Sequence, residues 1–261
     1  MKIIISHDVD HLYWNDHLLD TWWLGLILRT VKEVFKSELS LSTAAKRIFP
    51  GKNLNNIMSL IDFLNLNNIP ATFFFGTRKG LKLSYSNIKA KPFIEQLLKI
   101  KFMIGLHGIA FNDRTVMLDE KRRFNEIAGF DPVGIRMHYL RMDNSTYELL
   151  SSLGYKYDSS QNKIDFPYKY GNIWSIPISI MDVDVIQGST ARDLEKAKKE
   201  SLVRIESAKL KDIPYFVINF HDFYFSDGYP VHKAYFFWLI DFLKKNNFIF
   251  TSFNQAVQEI N

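Results

Sequence analysis

Residues 2–10 read Lys2-Ile3-Ile4-Ile5-Ser6-His7-Asp8-Val9-Asp10, a β-branched run that ends, without a turn, in two carboxylates one residue apart. Such a run predicts a buried strand over residues 2–6, which leaves the carboxylates just past its C-terminal end. The same unit recurs along the chain. Residues 71–75, after the turn signal Asn67-Asn68-Ile69-Pro70, and residues 102–106, 133–137, 155–157, 173–178, 215–220 and 248–251 are further apolar runs that read as strands. Helical spacing fills the intervals at about 20–36, 54–66, 90–100, 116–128, 191–210 and 232–245, with one more helix capped near Asp143 or Ser145 and stopped at Gly154, and another at the end. Unbroken strand-helix alternation predicts an α/β fold: a single distorted (β/α) barrel of seven or eight strands over residues 1–261, with a helical insertion at about 12–55. An open doubly wound sheet would give a similar string.

The composition narrows the chemistry. With 47% apolar and 23% charged residues in 261, the chain can bury a large core, and disorder is not suggested. It has no cysteine, which excludes a disulfide framework, a thiolate metal site and a cysteine nucleophile and leaves carboxylates and histidines as ligands or acid-base groups. The N-terminal residues lack the apolar region and cleavage site of a secretory signal, so the expected location is cytoplasmic. The most apolar stretch, residues 22–28, is far short of the ~20 residues needed to span a bilayer. It reads as an amphipathic helix packed on the core, with contact to a membrane surface as the weaker alternative. A net charge of +5 favours acidic partners such as a phosphorylated glycan carrier or a nucleotide sugar, but the basic residues are scattered and form no nucleic-acid motif.

On these strand assignments Asp8 and Asp10 follow the first strand and His107 the third, while Arg136 and His138 end the fourth. Asp158, then Asp182 and Asp184, then His221 and Asp222 follow later strands. In parallel α/β folds those ends converge on one face, so residues far apart in sequence meet in one pocket. A single Asp after a strand is more often a turn former or helix cap; the joint pattern is what points to a site. The Asp8-Val9-Asp10 pair can divide labour, one carboxylate holding a metal and the other acting as base. His7 should point away from Asp8 into the core, and His17 and His232 read as surface or capping residues.

The ordered motifs resemble those of the polysaccharide deacetylases, also called the NodB-homology or carbohydrate esterase 4 family. Ile5-Ser6-His7-Asp8-Val9-Asp10 resembles the first motif, with its base Asp and metal-ligand Asp. Ile104-Gly105-Leu106-His107-Gly108 resembles the second, whose first His binds metal, and Gly134-Ile135-Arg136-Met137-His138-Tyr139 the third, whose Arg pairs with the base. Tyr155-Lys156-Tyr157-Asp158-Ser159-Ser160 and Trp174-Ser175-Ile176-Pro177 resemble later wall segments, and Val217-Ile218-Asn219-Phe220-His221 the motif carrying the general-acid His. One position departs from the pattern. The second metal His normally stands four residues after the first, and Phe111 is there instead. His138, which replaces a usual proline, would restore the missing imidazole; His11 is the rival.

The resemblance implies a metal-dependent N-deacetylase acting on an acetylated sugar of a bacterial surface glycan or its precursor, with a lipopolysaccharide or capsule intermediate as an example. Asp10, His107 and His138 would hold a divalent ion, zinc or another imidazole-tolerant metal. Asp8, held by Arg136, would be the base and His221 the acid. Trp174, Tyr139 and Asp182 are the candidate substrate-binding residues, Phe166 and Tyr168 further groove walls, and Asp182 or Asp158 would orient His221. Phe111 also motivates a second reading, a glycan-binding protein that has lost the metal. A third is another sugar- or amide-modifying enzyme, including one with an Asp nucleophile.

Overall fold

The computed structural model describes residues 1–261. It opens with β1 (Lys2–Val9), whose residues alternate between two environments, as the period of a strand requires. Ile3, Ile5 and Val9 pack among residues of the surrounding helices, whereas Ile4 packs with Phe74, Tyr157, Ile178, Val217 and Phe253 inside a curled sheet. A 3-10 turn at Trp14–His17 follows, then α1 (Trp22–Phe35), α2 (Leu41–Ile48) and α3 (Ile57–Leu66). Next come β2 (Ala71–Phe75), α4 (Asn87–Lys99), β3 (Met103–Gly108), α5 (Arg114–Ala128), β4 (Gly134–Met137), a 3-10 turn at His138–Leu140, and α6 (Thr146–Ser152). The second half contains β5 (Tyr157–Asp158), β6 (Tyr168–Tyr170), β7 (Ile173–Ser175), β8 (Ile178–Met181), α7 (Asp182–Val185), α8 (Ala191–Leu210), β9 (Tyr215–Asn219), a 3-10 turn at Asp222–Tyr224, α9 (Pro230–Lys245), β10 (Ile249–Thr251) and α10 (Phe253–Ile260).

All strands share one sheet, ordered β6-β7-β5-β4-β3-β2-β1-β9-β8, with β10 alongside the first residues of β1. Every pairing is parallel except the β6-β7 hairpin. The sheet curls until β8 meets the segment after β5. There the Ile178 amide donates to the Gln161 carbonyl at 2.7 Å, and the Lys163 amide donates to the Ile178 carbonyl at 3.0 Å. This single parallel bridge is the seam of a distorted seven-stranded barrel made by β1–β5, β8 and β9. Phe253, Ala256 and Val257 of α10 join the interior cluster. Gly134 is required for packing, because a Cβ there would lie 1.9 Å from the Tyr157 ring.

The sheet departs from the sequence expectation where Pro177 intervenes. Residues 173–178 form two strands rather than one, since proline has no amide to continue a ladder. The hairpin strand β6 and helix α2 carry too few residues to register as periodic patterns. His17 and His232, read as surface or capping residues, are both buried. The expectation that α1 packs its apolar face on the core holds on one side only: Trp22 and Leu26 pack against Leu54, Phe223 and Tyr229, whereas Leu24, Leu28, Val31 and Phe35 face outward. No helix is long and apolar enough to cross a membrane.

Candidate active site and metal centre

The inward residues of each strand grow more polar toward the C-terminal mouth of the barrel. On β1 they run Ile4, Ser6, Asp8 and then Asp10; β9 leads through Val217 and Asn219 to His221, and β4 through Arg136 to His138. The period of two puts each pair on one face. Together they line a cavity of about 330 Å³ that includes Asp8, Asp10, His11, His107, His138, Tyr139 and His221.

Arg136 is fully buried at the floor of this cavity. Its Nη1 donates to Asp8 Oδ1 at 2.9 Å, to Asn219 Oδ1 at 2.6 Å and to Ser6 Oγ at 3.0 Å. Its Nε and Nη2 are taken by the Ser159 carbonyl and hydroxyl, and its guanidinium lies 4.5 Å from the centre of the Phe74 ring. Asp8 Oδ2 accepts from Asn219 Nδ2 at 2.8 Å, so both carboxylate oxygens are engaged. Burial works against the Asp8 carboxylate, but Arg136 overcomes it and holds the group below the usual range.

Opposite stand two imidazoles whose tautomers are set by backbone carbonyls. His107 Nδ1 is 3.0 Å from the Arg136 carbonyl, and His138 Nε2 is 3.0 Å from the Leu81 carbonyl. A carbonyl only accepts, so each of those nitrogens carries the proton when the ring is neutral, and the other presents a lone pair. The two lone-pair nitrogens, His107 Nε2 and His138 Nδ1, face each other at 3.0 Å and lie 3.3 and 3.4 Å from Asp10 Oδ1. That oxygen is buried and has no hydrogen-bond partner. Three converging acceptors can hold a cation. Metal bonds of about 2.0–2.1 Å in a tetrahedron place ligand atoms about 3.3 Å apart, so one carboxylate and two imidazoles at these separations fit a zinc-type divalent ion.

Phe111 lies outside this cluster, its ring under the Arg141 guanidinium at 4.4 Å. Of the two substitutes, His138 joins the cluster and His11 does not. His11 Nδ1 is 3.0 Å from His17 Nε2, and burial pushes its pKa down to about 3. The backbone around His138 is contorted: Tyr139 and Leu140, and Leu81 and Lys82 across the cavity, adopt left-handed φ values of 57°, 53°, 52° and 72°. Such conformations cost energy in non-glycine residues and collect at functional sites.

His221 occupies the third side. Its Nδ1 bonds Asp182 Oδ1 and its amide donates to Asp182 Oδ2, both at 2.7 Å, while Nε2 sits 4.0 Å from Asp8 and 3.8 Å from Asp10. Burial would lower its pKa, but Asp182 and the two site carboxylates push it up to about 10.

Asp8, Asp10, His107, Arg136, His138, His221 and Asp182 therefore come together, with Tyr139 half-exposed at the rim. Trp174 does not line the cavity; its indole N–H donates to Asn261 at 2.9 Å, which corrects its placement as a sugar platform. Tyr168 is likewise engaged elsewhere, with Tyr147. Asp158, read as a possible partner of His221, instead accepts from the Ser160 amide and hydroxyl. His7 is a core histidine bonded to the Phe220 carbonyl at 2.7 Å. Sequence reasoning missed Asn219, which bridges Asp8 and Arg136. Its signal was its place two residues before His221 on the same strand face.

No family model and no curated protein sequence matches the chain. Solved structures do. One, from Mycobacterium smegmatis and assigned as a polysaccharide deacetylase, is 21% identical with a TM-score of 0.64, over 98% of this chain and 88% of that one. PuuE allantoinase is 17% identical with a TM-score of 0.65 and the same coverages. A carbohydrate esterase 4 pseudoenzyme from Bacillus anthracis is 9% identical with a TM-score of 0.51, over 98% of this chain and 65% of that one. The chain thus adopts the polysaccharide-deacetylase fold.

Proposed function

We propose that this protein is a metal-dependent N-deacetylase of an acetylated sugar. The fold alone does not select that activity, since it also houses an allantoinase and a pseudoenzyme. The observation that carries the reading is the convergence of three proton-free acceptors, Asp10 Oδ1, His107 Nε2 and His138 Nδ1, between a carboxylate base and a charged imidazole. A divalent ion held there would supply Lewis-acid polarisation of the acetamide and lower the pKa of water.

The chain's own groups divide the proton work. Asp8, ionised by its pairing with Arg136, accepts a proton from the attacking water. His221, charged and fixed by Asp182, gives the proton from Nε2 to the departing amine and so makes it a leaving group. Asn219 holds Asp8 Oδ2 and limits rotation of the base.

Metal analysis of protein purified without chelators, joined to an acetate-release assay on acetylated sugars, tests the reading. One equivalent of metal and release abolished by chelation are expected. Protein that stays inactive with added zinc, cobalt or nickel overturns it.

A further inference from the structure

Helix α1 carries an apolar stripe that the rest of the chain leaves uncovered. Leu24, Leu28, Val31 and Phe35 are 45, 69, 40 and 86% exposed. At about 100° per residue they fall within an arc of about 60°. Leu18 and Leu19, in the turn before the helix, are exposed as well. Scattered surface leucines need no explanation, but a continuous stripe of large side chains marks a contact surface.

Charge identifies what the stripe meets. Arg29, Lys32 and Lys36 all fall on one flank, about 80–140° around the helix from Leu24. Of the acidic residues of the segment, Glu33 bonds Arg47 at 2.7 Å, Asp20 takes the His17 ring at 2.8 Å, Asp16 pairs with Lys89, and Glu38 faces Lys36 at 3.8 Å, which leaves Arg29 and Lys32 of the flank without an acidic partner. Further round the same side, Trp22 and Arg29 line the cavity that holds Asp8 and His221. The order around the helix is therefore apolar stripe, basic flank, active cavity.

We propose that α1 docks this protein on an anionic bilayer, with the stripe among the upper acyl chains and the basic flank among the head groups. A second copy of the chain would also bury the stripe, but it would bring a second unpaired Arg29 and Lys32 to the interface with no free carboxylate to meet them; anionic lipid supplies the counter-charge. Given the deacetylase reading above, docking sets the cavity beside the lipid surface, and the substrate class becomes an acetylated sugar on a membrane-anchored carrier.

Flotation of the full chain with phosphatidylcholine vesicles, with and without about 30% phosphatidylglycerol, tests the docking without any turnover, so its failure is separable from failure of the deacetylase reading. The chain should float with the anionic vesicles and release as salt rises. Leu28→Glu with Phe35→Glu should abolish flotation, and Lys32→Glu with Lys36→Glu should weaken it at least tenfold, with melting temperature and metal content unchanged because all four side chains are exposed. Three results overturn the proposal: wild-type protein that ignores anionic vesicles, binding that survives the double Glu variant, or a dimer in sedimentation that the Leu28→Glu/Phe35→Glu variant dissolves while vesicles have no effect.

Discussion

Two pairs of histidines in this molecule meet nitrogen to nitrogen at the same 3.0 Å, and the chemistry of the two contacts is opposite. His17 Nδ1 lies 2.8 Å from the Asp20 carboxylate and donates its N–H to it; His17 Nε2 is then an acceptor, His11 Nδ1 donates to it, and the contact is an ordinary hydrogen bond. His107 and His138 direct their protons to the carbonyls of Arg136 and Leu81, so their facing nitrogens both present lone pairs, the arrangement that on the proposed reading receives the cation. Separation between rings says little; the partner on the far side of each ring decides whether the contact closes by itself or calls for a metal.

The largest effect comes from breaking the open pair. His138→Ala should reduce bound metal from one equivalent toward none and lower kcat about 10³-fold, whereas His17→Ala should leave metal content unchanged, as mass spectrometry of the intact holoprotein would show. Asp182→Asn tests a third arrangement, an imidazole set directly on a carboxylate. The amide forfeits one of the two acceptors used by His221, and kcat should fall about 10²- to 10³-fold with little change in KM.

A smaller effect concerns the loop that follows His107. Glu120 is buried, accepts the Ile109 and Ala110 amides, and is pushed by burial up to about 7 from an ordinary 4.5. A carboxyl whose pKa is raised on folding stabilises most when protonated. Its contribution is therefore full below pH 4.5 and is lost as pH rises through about 7, a swing of at most about 3 kcal/mol. Urea unfolding at pH 5 and 8 should show that decline in the parent protein and its disappearance in Glu120→Gln. The smallest effect belongs to the self-contained pair: Asp20→Asn should cost about 1–2 kcal/mol of stability by denaturant unfolding and leave metal affinity alone.

Much of this was legible in the sequence because strand ends in a parallel sheet converge. Asp8, Asp10, His107, Arg136, His138 and His221 each follow or end a readable apolar run, and topology does the rest. What stayed hidden depends on partners supplied by other elements. The Leu81 carbonyl that orients His138 belongs to a loop with no motif, and Trp174 looked like a sugar platform because nothing local announces its bond to Asn261. That Leu24, Leu28, Val31 and Phe35 of α1 face outward while Trp22 and Leu26 pack inward was equally unreadable, since an apolar run does not say which of its sides faces the protein.

The seam of the barrel has a mechanical meaning for the chemistry. Ser159, which grips Arg136 beneath the base, lies on the strand end at one lip, and Asp182, which grips the acid, directly follows the strand at the other. On the proposed mechanism, the gap between the group that would remove a proton and the group that would return it is thus spanned by the joint of the ring with the fewest cross-links. Breathing at that joint would alter both halves of the reaction together.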